Sequence, residues 1–416
     1  MLDINFIRKN TEFVERCIKA KGEEVDFKNF LEIDQKRREL QYRFDKKREV
    51  QKEISKKIGN LKKAGKDTDE LLAEMKSLAE EIKSLSTDLN EVNEKFESLY
   101  LSIPNVFADD VPLGKTEADN VIVREWGSFP KFDFEPLDHV ELSEKLGLID
   151  FRRSAKIAGT GFVSYTGFGA RLERALINFM LDFHRKNGYT EILPPFMANR
   201  RTMTGTGQLP KLEDDMYRVE EDDFFLIPTG EVPVTNFYQD EVLDEDELPK
   251  KYVSYTPCFR REAGSYGKKT RGLQRIHQFN KVELVQFVKP EDSELALQEI
   301  VSDVEGILQT LNLPYRVNLL CSGDLSFAAY KCYDLDVWAE GTKKYLEVSS
   351  CSSFNDFQAR RANIRYRARS DGKLHFVHTL NGSGIATPRT MIALLENNQT
   401  RDGKIIIPDS LRKYYR

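Results

Sequence analysis

Thr256–Glu283, TPCFRREAGSYGKKTRGLQRIHQFNKVE, reads as a β-hairpin closed by a long basic loop. Tyr255 to Arg261 can form one strand, and Ile276 to Val288 mixes apolar and polar residues at strand-like spacing. Between them, Gly264 to Gly272 is turn material rich in Gly, Ser, Lys and Arg. Arg260 and Glu262 stand two residues apart, which on a strand places both on one face. Guanidinium groups held to one side beside a carboxylate suit a phosphate ester that carries a base. Taken alone, the same charges equally describe a solvated surface hairpin.

Asn381–Gln399, NGSGIATPRTMIALLENNQ, shifts the balance towards a ligand. A glycine-rich turn leads into a predicted helix. Thr387 suits its N-cap, Pro388 its first position, and Met391, Leu394 and Leu395 form the apolar stripe. Arg389 then falls in the first turn, where the helix dipole disfavours a cation unless an anion lies nearby.

The chain has 416 residues and is 40% hydrophobic, enough for a large core and two domains. Its net charge of −5 excludes a global basic field, so any RNA site must be a local patch. The opening MLDINFIRKNTEF lacks the apolar core of a signal peptide, and no run approaches the length of a membrane span. The five cysteines are scattered without a CxxC pair, which argues for free thiols in a reducing compartment and against zinc. A cytoplasmic protein with no membrane partner is therefore expected. His375 and His378 could share a metal, but alternating positions near a strand end account for them better.

Residues 28–99 read as a long helical hairpin. Leu40, Phe44, Lys47, Gln51, Ile54, Ile58 and Leu61 follow steps of four and three on the first arm. Met75, Leu78, Ile82, Leu85, Leu89, Val92, Phe96 and Leu99 do so on the second, giving the seam of a coiled coil. Gly59, Gly65 and the polar run after it mark the tip. Residues 36–66 hold 13 Lys and Arg against 4 Asp and Glu, a net of +9, while residues 67–100 hold 3 against 10, a net of −7. Pairing between the arms and phosphate binding on the outer face of the first arm are compatible readings of that asymmetry.

Residues 104–135 look like a linker interrupted by prolines, and 136–416 mix strands and helices. Leu172, Leu176, Phe179 and Phe183 give a helix, followed by Gly188 and a short strand to Pro194-Pro195. Strand-rich hairpins with few regular crossovers favour an antiparallel sheet flanked by helices. The expected fold class is α+β, with an N-terminal antiparallel helical hairpin in residues 1–103 ahead of that sheet domain.

The two quoted segments resemble motifs 2 and 3 of class II aminoacyl-tRNA synthetases, and the wording FRxEAGS…TRGLxRxHQF followed by KVE is similar to the seryl-tRNA synthetase family. The resemblance extends over essentially the whole chain: the helix–strand–Pro unit resembles motif 1, Thr204–Tyr217 (TGTGQLPKLEDDMY) a loop near the site, and Lys344–Arg361 (KYLEVSSCSSFNDFQARR) a further block. It departs from the family pattern at Arg261, Gly230 and Ile385–Pro388, and keeps Arg389.

The resemblance implies a homodimer that uses ATP, L-serine and tRNA(Ser), with tRNA(Sec) a second candidate, and residues 1–103 as the tRNA-binding domain. It implies that Arg260 holds the α-phosphate and the serine carboxylate, that Glu262 accepts from the adenine amino group, and that Phe279 and Arg389 cover the two purine faces. Arg275 would reach the γ-phosphate side. Glu347, Val348, Ser349 and Ser350 would line the ATP site, with Glu347 and Ser350 on Mg²⁺, whose preference for oxygen ligands they match. Thr229, Glu231, Glu283 and Ser383 would hold serine. Such chemistry rests on positioning and cations, since the serine carboxylate is already the nucleophile. The rival readings are an amino acid:carrier-protein ligase and a non-catalytic RNA-binding paralogue. The first would lack the arm and the second would have lost the arginines or magnesium ligands.

Overall fold

The computed structural model describes residues 1–262 and 271–415. The chain divides into two compact units, one of residues 4–16 and 24–103, the other of residues 1–3, 17–23 and 104–416.

The smaller unit is built on two long helices, α1 (Phe27–Lys63) and α2 (Asp69–Leu101). Asp26 caps α1 by accepting from the Asn29 N–H at 3.0 Å. The predicted seam is buried as two apolar clusters, Leu40 with Leu85, Leu89 and Val92, and Ile54 with Ile58, Leu78 and Ile82. Phe44 packs on both, bridging the polar break at Lys47 and Gln51. Lys47 is accommodated by an ion pair with Glu81. Among the described residues that is the one ion pair joining the two arms, so inter-arm pairing accounts for little of the opposed charge. Gly65 turns the tip at φ +66°, whereas Gly59 lies inside α1 rather than at the turn.

The larger unit is organised on an eight-stranded sheet. Its strands in chain order are β1 (Val121–Trp126), β2 (Thr190–Glu191), β3 (Lys250–Phe259), β4 (Gln278–Val288), β5 (Tyr315–Leu319), β6 (Lys331–Ala339), β7 (Lys344–Ser353) and β8 (His378–Ala386). Their spatial order is β1-β5-β6-β7-β8-β4-β3-β2. Every pairing is antiparallel except that of β2 with β3. Helices α3 (Gly167–Lys186), α4 (Ser293–Thr310) and α5 (Thr387–Asn397) pack their apolar residues into one core with the sheet.

Three local readings change. The segment read as a linker supplies β1, an edge strand whose exposed VIV run has no helical or alternating burial to announce it. The first strand of the quoted hairpin ends at Phe259, not Arg261, and Glu262 sits at φ +52°, so Arg260 and Glu262 do not share a strand face. The second strand begins at Gln278. Most of the turn expected over Gly264–Gly272 lies outside the described residues. Thr387 is the first residue of α5 rather than its cap. Its hydroxyl is drawn away to the Asn280 carbonyl at 3.1 Å and to Glu173 of α3.

Candidate active site

A cavity of about 640 Å³ opens over β4, β7 and β8, bounded by segments that include Thr206–Gln208, Arg260, Leu273–Ile276 and Ser326–Ala328. Two β-bulges shape its floor. Opposite β6, Leu335 pairs with Ser349 but Asp336 pairs with Glu347, which leaves Val348 as the extra residue. Opposite β4, Ser383 pairs with Glu283 and Ala386 with Lys281, so one extra residue lies in Gly384-Ile385, and Ile385 takes φ +101°. In a regular strand, residues i and i+3 face opposite sides. Each bulge cancels that alternation, so Glu347 with Ser350, and Ser383 with Ala386, line the same cavity.

One cluster of side chains gathers around Arg389. Its Nη1 donates to the Glu347 carbonyl at 2.9 Å and lies 3.2 Å from the Glu347 carboxylate, and its Nε donates to the Gln274 carbonyl at 3.4 Å. The anion expected beside this first-turn cation is thus Glu347 of the chain itself. Arg275 donates to Glu262 at 2.7 Å on the same wall. Asp334, opposite Ser350 in the ladder, brings a third oxygen-bearing side chain to Glu347 and Ser350. Burial, and then the charge of Glu347, push the Asp334 carboxyl well above the usual range, against a hydrogen bond from Ser350.

A second cluster is built on Glu283, which is 1% exposed. Its carboxylate accepts from Thr229 Oγ1 at 2.9 Å and Asn381 Nδ2 at 3.3 Å, and pairs with Lys281. Glu231 is also buried and accepts from Gln358 Nε2 at 2.6 Å. Burial and the neighbouring Glu283 raise its carboxyl to about 7. Arg260 adjoins this second cluster. Its Nε donates to the Pro228 carbonyl at 3.3 Å, next to Thr229, and its guanidinium lies 5.3 Å from the Phe279 ring centre.

Of the residues read from sequence, Thr229, Glu231, Arg260, Glu262, Arg275, Phe279, Glu347, Val348, Ser350, Ser383 and Arg389 line this cavity. Two do not. Glu283 lies beneath the floor, covered by the groups that bind it, and Ser349 turns away to donate its hydroxyl to the Ser383 carbonyl at 2.6 Å. Lys281 and Asn381 belong to the wall and were not singled out. Alternation along β4 with Phe279, and along β8 with Ser383, could have shown them. Nothing local marks Asp334, because only the ladder carries it to Ser350.

The comparisons with known proteins agree with this architecture. Residues 1–107 match the family model described as the seryl-tRNA synthetase N-terminal domain. Residues 212–398 match the class II core domain of the G, H, P, S and T tRNA synthetases. The serine–tRNA ligase of Thermodesulfovibrio yellowstonii is 53% identical over all of this chain and 98% of its own length. The chain belongs to the seryl-tRNA synthetase family. A second serine–tRNA ligase, from Prosthecochloris aestuarii, is 54% identical over all of this chain and 97% of its own. Among solved structures, the seryl-tRNA synthetase of Pyrococcus horikoshii complexed with ATP superposes with a TM-score of 0.91 at 38% identity, covering 100% of this chain and 98% of that one. The seryl-tRNA synthetase family therefore accounts for both units of the chain, the helical hairpin as well as the sheet. Among the described residues, no helix is long and apolar enough to cross a membrane.

Proposed function

We propose that the cavity joins L-serine to ATP and then charges tRNA(Ser), the activity of a serine–tRNA ligase. A serine carboxylate oxygen attacks the α-phosphorus and the bond to pyrophosphate breaks, giving seryl-adenylate. A terminal ribose hydroxyl of the tRNA then attacks the acyl carbon and AMP leaves. The observation that carries this reading is that one cavity holds two preformed clusters, one with Arg275 and Arg389 and the other of buried oxygen acceptors with Arg260 beside it. Arg260 takes the serine carboxylate and the α-phosphate. Phe279 and Arg389 cover the purine, Glu262 takes the adenine amino group, and Arg275 faces the outer phosphates. Charge developing on phosphate oxygens is met by groups already held in place.

Glu231 and Thr229 receive the serine ammonium, and Ser383 and Asn381 its polar side. Glu283 acts from below by orienting Thr229, Asn381 and Lys281. Glu283→Gln is expected to raise the serine KM far more than the ATP KM, since it loosens only this cluster. A matching rise in both would make Glu283 a nucleotide-linked or general structural residue.

Glu347 and Ser350 would hold Mg²⁺. The fit rests on oxygen donors brought to one face by the bulge, with the Asp334 side chain opposite Ser350 beside them. When bound, the ion neutralises phosphate charge. A homodimer is the expected assembly, with α3 and β2 as the motif 1 unit and tRNA(Sec) as a second candidate acceptor. A cytoplasmic location is part of the same reading.

The test is serine-dependent ATP–pyrophosphate exchange, run against alanine, threonine and glycine. Serine should be preferred over alanine by ~10⁴, because alanine leaves buried polar groups unpaired. Exchange supported equally by another amino acid would overturn the assignment.

The Glu231 carboxyl makes a pH dependence. Raised to about 7, it is protonated below that pH and ionised above it. An incoming ammonium binds the ionised form, so at acid pH the site must release a proton to take serine. The serine KM should therefore rise as pH falls below 7, approaching about tenfold per unit. Glu231→Gln should give a high, pH-independent serine KM. A flat profile in the unmodified enzyme would remove Glu231 from the ammonium site.

A further inference from the structure

Leu273 to Ile276 line the cavity between the two hairpin strands but belong to neither, so their backbone needs other partners. Two partners lead to the same helix, one directly and one through His139. The Gln274 carbonyl accepts from Arg389, at the start of α5. The neighbouring Leu273 N–H donates to Nε2 of His139 at 3.2 Å. His139 is 1% exposed and lies outside the cavity wall. Its Nδ1 is 3.0 Å from Oε1 of Glu396, near the end of α5, and its own backbone N–H donates to the same oxygen at 3.0 Å. The other oxygen of Glu396 accepts from Thr342 N–H at 2.8 Å and Thr342 Oγ1 at 3.2 Å.

This wiring sets the ring's tautomer. Nε2 faces an N–H and must accept, so Nδ1 carries the proton and donates to Glu396. A carboxylate in the last turn opposes the helix dipole, and Glu396 is kept there by the donors that converge on it. The ring also lies close against the backbone. Gly272 has φ +69°, and a Cβ there would come within 2.1 Å of Nε2.

We infer that His139 is a positioning residue for the nucleotide wall. It ties Leu273 to the far end of the helix whose near end, through Arg389, holds Gln274. Adjacent residues of the wall are thereby referred to both ends of α5, and Arg275 is presented towards Glu262 and the phosphates. The inference rests on the proposed function for the identity of the nucleotide.

Two conservative variants separate the ring's two bonds. His139→Asn keeps an amide N–H near the Nδ1 position and loses the acceptor for Leu273. His139→Gln keeps an acceptor near the Nε2 position and loses the side-chain link to Glu396. Each loses one buried hydrogen bond, so both should melt at lower temperature. His139→Asn should weaken ATP, read as the calorimetric Kd and as the exchange KM, by about tenfold, with the serine KM unchanged. His139→Gln should retain most of the ATP affinity. Equal ATP affinities in the two variants, or a serine KM that rises as much as the ATP KM, would reduce His139 to a core residue and overturn the inference. ATP calorimetry is read without serine. Absence of serine-dependent exchange in the unmodified enzyme would thus defeat the proposed function while leaving the ATP comparison to decide on His139.

Discussion

Arg389→Ala lowers serine-dependent ATP–pyrophosphate exchange by ~10²-fold or more, the scale of misplacing a bound reactant by about 1 Å. The side chain is 29% exposed and belongs to the cavity wall rather than the core, so the fold should persist. What the variant loses is specific. The bonds to Glu347 and Gln274 disappear, so the wall, the cation facing the phosphates and the purine cover fail together. Arg389→Lys restores the charge but not the planar fork, and is expected to recover only part of the rate. Circular dichroism and melting temperature establish that the variants are folded, and the exchange rate at saturating serine gives the result. A normal exchange rate in Arg389→Ala would remove the residue from the reaction.

The second large effect is expected on tRNA alone. Reversing Lys52, Lys56 and Lys63 of α1 to glutamate should raise the tRNA KM strongly and flatten its salt dependence by roughly one unit of slope for each phosphate left without a lysine. Serine activation should be unaffected. All three lysines are exposed, and among the described residues no ion pair to α2 engages them. Most of the net of +9 in residues 36–66 therefore remains available on a chain whose overall charge is −5. Removing Gln35 to Leu89 and bridging the gap should take the same effect to its limit, with activation retained and charging abolished. The competing explanation is that the lysines serve hairpin stability. It requires the reversals to lower the hairpin's melting temperature and to leave the salt slope of tRNA binding as it was. Both quantities measured on the same variants distinguish the two.

Local pattern was enough for several elements. The hairpin of α1 and α2 is legible because a seam repeating every three and four residues needs only one neighbour to bury it, and that neighbour follows in sequence. The paired strands β3 and β4 are legible for the same reason, and so is the unusual position of Arg389 in a first helical turn. From these, with the quoted motifs, the α+β class, the seryl-tRNA synthetase family and most of the cavity residues follow.

Tertiary structure decided the rest, because the remaining features depend on partners distant in the chain. The side on which Glu347, Ser349 and Ser350 project is set by a bulge against β6, and the alternation rule alone would divide Glu347 from Ser350. Glu283 looks like a serine ligand in sequence, yet Thr229, Asn381 and Lys281 cover it beneath the floor. Strand β1 has an unremarkable local sequence and exists through its ladder to β5. His139 carries no signal in its local sequence, and its role appears only when the fold brings Leu273 to one ring nitrogen and Glu396 to the other. Hydrophobic periodicity reports which face of an element is buried. Ladder register and the pairing of buried polar groups are properties of two elements at once, and they become definite only when the chain has brought those elements together.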